Sequence, residues 1–121
     1  MGMSTKDFAE NILGIKYDFL KIREVFIKFI VARGKVTFDP ELHVNFERTY
    51  GEGTLYHKDI ADANLIDRAL INGGAFVAIS SEKVRITGVS QDFGRIDGYE
   101  ETAKTFFENY FDNNVTVVLD L

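Results

Sequence analysis

Two short segments of the chain carry residue types that can do chemistry. Tyr56-His57-Lys58-Asp59-Ile60 places one of the two histidines directly before a predicted helix start. Gly88-Val89-Ser90-Gln91-Asp92-Phe93-Gly94 places a serine in a glycine-bounded turn at the end of a predicted strand. Histidine is the side chain best suited to moving a proton near neutral pH. A hydroxyl followed by backbone amides makes a cradle for an oxyanion. These are the parts that phosphate-ester or phosphoramidate chemistry needs. Taken alone, the same residues equally fit a surface histidine at a helix entry and an ordinary serine turn.

What the chain lacks narrows the chemistry. There is no Cys, which removes disulfides, thiolate nucleophiles and cysteine-ligated zinc, and points to a reducing, cytoplasmic setting. Two His supply at most half of a typical metal site, so no metal and no other cofactor is expected. A net charge of −5 with no basic stripe argues against nucleic acid as a partner. The longest apolar stretch, 25–32, is broken by Lys28 and falls well short of the roughly 20 residues that span a bilayer, so no membrane is expected. The first residues do not read as a signal peptide.

The elements that must position the two segments follow from periodicity. Phe8, Ile12, Ile15, Phe19, Ile22, Phe26 and Phe29 recur at spacings of four and three, with Leu13, Leu20 and Ile27 beside them. That pattern predicts one long amphipathic helix over 4–33, opened by Ser4 and stopped at Gly34. Its two apolar lines ask for burial on two sides, either as a central helix or in a homo-oligomer formed through this helix. Beyond Gly34 the period becomes two. Strands are expected at 36–38, 42–46, 75–79, 84–90 and 115–119, with a brief one at 54–56. Helices are expected at 59–71, ended by Asn72-Gly73-Gly74, and from about Asp97 to Phe111. The expectation is a single domain over 1–121 of α+β class. One mixed sheet of five to six strands with packed helices occupies 35–121, preceded by the 4–33 helix.

In the order of these motifs the chain resembles the Janus/Ocnus family, whose best-known members are small protein phosphohistidine phosphatases. The resemblance rests on Tyr56-His57-Lys58-Asp59-Ile60, Gly73-Gly74 and Gly88-Val89-Ser90-Gln91-Asp92-Phe93-Gly94, and covers roughly residues 36–120. It implies a general base at His57 and a phosphate cradle of Ser90 with the amides that follow, Gln91 first. The family's phosphate-binding lysine lies on the first core strand, and His43 is the closest position on the strand expected here at 42–46. Asp92 stands where the family has a small residue. A carboxylate about 4 Å from a phosphate oxygen costs around 1 kcal/mol in water and more when buried. Arg95 is the candidate to offset that charge.

Two functions follow. One is a metal-free phosphohydrolase acting on a phosphorylated protein or a small phosphoramidate. The other is a non-catalytic, acidic binding or regulatory module on the same scaffold, dimeric and acting on a protein partner.

Overall fold

The computed structural model describes residues 2–121 and is of α+β class, built on one mixed five-stranded sheet. A short α1 (Thr5–Asp7) continues as a wider π-helix (Phe8–Leu13), and α2 (Asp18–Ile22) follows. Then come β1 (Val25–Ala32), β2 (Lys35–Thr37), α3 (Pro40–Tyr50) and α4 (His57–Ala63). A 3-10 turn at Arg68–Leu70 leads into β3 (Ile71–Ile79) and β4 (Lys83–Thr87), and the chain ends with α5 (Glu100–Tyr110) and β5 (Thr116–Asp120). The strand order is β2-β1-β3-β4-β5, antiparallel except for the parallel β4–β5 pair. A parallel pair needs a crossover, and α5 supplies it.

The long N-terminal helix does not exist. Ser4 does cap a helix, its hydroxyl accepting from the Asp7 amide, but Gly14 ends it with φ +68°. From Val25 the chain runs as a strand. Both faces of β1 are occupied, so its apolar residues form a continuous run rather than an alternation. Set beside α1 and α2, that run imitates a heptad seam. Gly34 stops no helix: Arg33 and Gly34 have φ +51° and +72°, the two-residue turn of a β1–β2 hairpin. A helix-mediated homo-oligomer loses its basis with the helix.

The segment 42–46 is helix α3 and not a strand. Asp39 caps it through the Leu42 amide at 3.2 Å, and Pro40 occupies its first turn. Leu42 and Phe46 are four residues apart as well as on one alternating face, so both periods fit, and the cap decides. No strand forms at 54–56, and the helix expected over 59–71 stops at Ala63. Gly73-Gly74 lies inside β3 instead of ending a helix. The 115–119 strand forms one residue later, as an edge strand against β4.

The two sheet faces are filled differently. Odd-numbered Ile27, Phe29 and Val31 of β1, with Val77 and Ile79 of β3 and Val84 and Ile86 of β4, meet α5 and the N-terminal helical segment. Phe8, Phe38, Phe107, Tyr110 and Phe111 interlock there largely edge to face, with Phe38–Phe107 centroids 5.0 Å apart. On the other face, Ile30 is covered by Leu55, Ile60 and Ala61. Further along that face, Lys28 and Phe26 point towards α3 and solvent.

Candidate functional site

His57 opens α4, and Ser90 follows β4 after Gly88 turns the chain with φ +79°. They meet over Gly74. A Cβ built on Gly74 would stand 2.6 Å from His57 Cδ2 and 2.9 Å from Ser90 Cβ, so both side chains press on that glycine from one side of β3. The turn is stitched to β3 at the same residue: the Ser90 amide donates to the Gly74 carbonyl and the Gly74 amide to the Gly94 carbonyl, both at 3.0 Å. Gly73 provides the second close approach, with the Arg95 carbonyl crossing where a Cβ would lie. The glycine pair is therefore what lets the 90–96 segment and the α4 entry descend onto the sheet.

His57 is 3 % exposed. Its Nε2 lies 2.9 Å from the Ala75 carbonyl oxygen, and its ring meets Phe76 edge-on at 5.3 Å. A carbonyl only accepts, so Nε2 carries the proton and Nδ1 keeps the lone pair in the neutral ring. Burial pushes the His57 pKa below the ordinary histidine range, and the nearby Lys28 charge pushes the same way. The Ala75 bond and Asp92 act against them.

Ser90, 2 % exposed, spends its hydroxyl within its own turn. Its Oγ accepts from the Asp92 and Phe93 amides, each at 3.1 Å. The Asp92 carboxylate accepts from the Lys58 amide at 3.3 Å, while Asp59 accepts from the Tyr56 amide at 2.8 Å. The first turn of α4 is thus capped by two carboxylates of the chain itself. Gln91 and Arg95 are exposed, and neither side chain has a hydrogen-bond partner or ion pair among the described residues.

His43 does not lie on a core strand. It sits on α3 with Nε2 3.3 Å from Glu47, and burial lowers its pKa against the pull of that carboxylate. Lys28, which the periodicity puts inside a helix, lies at the centre of β1. Its Nζ donates to the Leu55 carbonyl at 2.5 Å and stands 5.5 Å and 5.7 Å from the Phe76 and Tyr56 ring centroids. It pairs with no carboxylate within 4.0 Å among the described residues, and burial lowers its pKa. The signal in the sequence was a lone charge in an otherwise apolar run of eight.

No protein-family model, curated protein or solved structure matches the chain. The site therefore has to be read from its own geometry. Among the described residues no three His, Cys, Asp or Glu side chains converge as a metal site requires, and no helix is long and apolar enough to cross a membrane. The arrangement joins a neutral imidazole of fixed tautomer, a half-buried ammonium beside it and a tight turn with a serine at its root. Such a set can take a proton from water and hold an anion.

Proposed function

We propose that the chain is a phosphohydrolase of the metal-free phosphohistidine phosphatase type, cleaving a phosphorus–nitrogen bond. The observation that carries the reading is the His57–Ala75 hydrogen bond, because it commits Nε2 to donation and leaves Nδ1 as the base. The depressed pKa supports it by keeping that base neutral at pH 7. In the reaction His57 Nδ1 takes a proton from water as the water oxygen bonds to phosphorus. The phosphorus–nitrogen bond breaks with its electron pair passing to nitrogen, and the proton held by His57 goes to that leaving nitrogen. Lys28, with the Ser90 turn and the Gln91 amide, stabilises charge on the phosphoryl oxygens.

One observation favours a second reading, a non-catalytic binding module acting on a protein partner. The Asp92 carboxylate already holds the Lys58 amide, and Ser90 Oγ already holds two amides of its own turn. On that reading the turn is closed on itself and takes no phosphate.

Release of phosphate from a phosphohistidine peptide and from a small phosphoramidate separates the two. The hydrolase reading expects turnover that falls at least about 100-fold in His57→Ala, the scale of a lost general base, with the fold intact by circular dichroism. It also expects Asp92→Asn to hydrolyse faster than the parent protein. No turnover in either the parent or Asp92→Asn removes the hydrolase reading and leaves the binding module.

A further inference from the structure

A cavity of about 650 Å³ opens beside this site, between the 13–19 segment, α3 and the Lys28 side of β1. That volume lies within the range of small-ligand pockets, on the order of 300–1,000 Å³. Its walls are largely apolar: Leu13, Ile15, Phe19, Phe26, Leu55 and Phe76. Phe76 and Lys28 join it to the catalytic constellation, Phe76 through its edge contact with His57.

The charges on its walls are lopsided in their pairing. Glu24 is held by Arg85 at 2.8 Å, whereas the ionisable partner of Glu47 is only His43, at 3.3 Å, whose pKa burial lowers, and Glu52 has no cation within 4.0 Å among the described residues. Of the cations, Arg23, Lys28 and Arg48 have no carboxylate within 4.0 Å among the described residues. Three cations without a carboxylate partner thus face two carboxylates without a charged partner, Glu47 and Glu52, and an apolar chamber with that cationic excess is complementary to a ligand with an apolar body and an anionic head.

We infer that this cavity binds the apolar body of a small anionic ligand, an aryl or alkyl phosphoramidate or phosphate, with its anionic group against Lys28. The inference rests on the hydrolase reading for the phosphoryl identity of the head group. It deepens that reading by making the substrate a small amphipathic molecule rather than a phosphorylated protein. Phe19 and Phe26 are 42 % and 49 % exposed, so each offers aromatic surface to an apolar ligand body beside the arginine that stands over its ring, Arg23 and Arg85 respectively.

Calorimetric titration of the full chain with (1-naphthyl)methylphosphonate and with methylphosphonate tests it, since the two share a head group and neither can be hydrolysed. The naphthyl compound should bind at least ten-fold more tightly. Lys28→Met, which removes the head-group partner, should weaken it at least ten-fold. So should Phe19→Asp, at a half-exposed position that tolerates the change. Equal affinity for the two phosphonates, or unchanged naphthyl binding in both variants, overturns the cavity assignment. Hydrolysis of a phosphohistidine peptide and of N-benzylphosphoramidate, a small apolar phosphoramidate, is measured on the same preparation. Tight, variant-sensitive naphthyl binding without hydrolysis supports the cavity and removes the hydrolase. Hydrolysis with equal phosphonate affinities removes the cavity and keeps the hydrolase.

Discussion

Replacing Gly74 with alanine sets two physical effects of opposite sign against each other. Gly74 lies inside β3 and its φ is not positive, so alanine meets no backbone strain there. Reduced freedom of the unfolded chain alone would then stabilise the variant by about 0.4–1 kcal/mol. Packing opposes this. The new Cβ would stand 2.6 Å from His57 Cδ2 and 2.9 Å from Ser90 Cβ, where ordinary contact begins at 3.4 Å. The imidazole cannot yield freely, because its Nε2 is bonded to Ala75 and its edge is against Phe76. Overpacking of this kind costs about 1–3 kcal/mol, and a strained buried hydrogen bond adds about 1 kcal/mol or more. The clash should win, for a net loss of about 2 kcal/mol. With a urea slope of about 1–3 kcal/mol per molar, the midpoint should fall by on the order of 1 M. In a His57→Ala background the ring is gone and only the Ser90 contact remains, so the same substitution should cost less than about 1 kcal/mol. The resulting coupling of 1 kcal/mol or more is what a double-mutant cycle reads for residues in contact. Gly74→Ala as stable as the parent, or an equal loss in both backgrounds, would refute the placement of His57 on Gly74.

Gly73→Ala should be harsher, because its Cβ would collide with the Arg95 backbone carbonyl rather than with a side chain; expression of a folded variant with a near-parental urea midpoint would contradict this. Burial depresses the pKa of both His57 and His43 in the folded state, so as pH falls below the unfolded value of about 6.5 the unfolded chain takes up protons first. Stability should be flat above about pH 7, decline between about pH 6.5 and 5, and decline less in His43→Gln; a urea midpoint that rises on acidification through that window would reverse the assigned direction of both shifts.

What was legible in the sequence, and what was not, divides by how many neighbours an element needs to declare its period. α5 and β5 each carry one clear period and lie close to where the sequence puts them; the β3–β4 hairpin forms as expected, but β3 begins at Ile71, where a helix end is expected, and β4 ends at Thr87, three residues before Ser90. α3 and β1 carry no such single period. Leu42 and Phe46 satisfy period two and period four alike, Val44 fits period two alone and packs against the other core cluster, and the Asp39 cap with Pro40 decides for the helix. β1 is apolar on both faces, so its alternation is hidden, and Lys28 looked like an interruption of a helix rather than the polar residue of a strand. The site suffered accordingly. His57 and Ser90 were visible as motifs, and the structure brings them together over Gly74. Gln91 and Arg95 were drawn in by adjacency and point to solvent. His43, expected on a strand, lies on α3, and Lys28, expected inside a helix, lies on β1. The serine motif predicts a turn open to an anion, whereas the Ser90 hydroxyl holds the amides of residues 92 and 93.

The unequal closure of the two sheet faces explains why chemistry can reside on only one of them. The odd-numbered face of β1 and β3 is sealed by α5 and the aromatic cluster around Phe38, leaving no room and no charge. On the even-numbered face the cover that α4 provides reaches Ile30, because α4 ends after two turns and its Ile60 and Ala61 reach no further. The next outward residues along that face, Lys28 and Phe76, are paired across β1 and β3 and are left half-buried. One glycine, Gly74, sits opposite Ile30 in the same ladder and lets His57 and the Ser90 turn drop to sheet level beside them. A side chain at position 74 would lift the histidine away from the lysine. A longer α4 would bury the lysine and close the cavity. The neutral imidazole, the ammonium without a carboxylate partner and the apolar chamber are therefore consequences of one arrangement: a short helix set over a glycine at the end of a face that α3 and the 13–19 segment cover only in part.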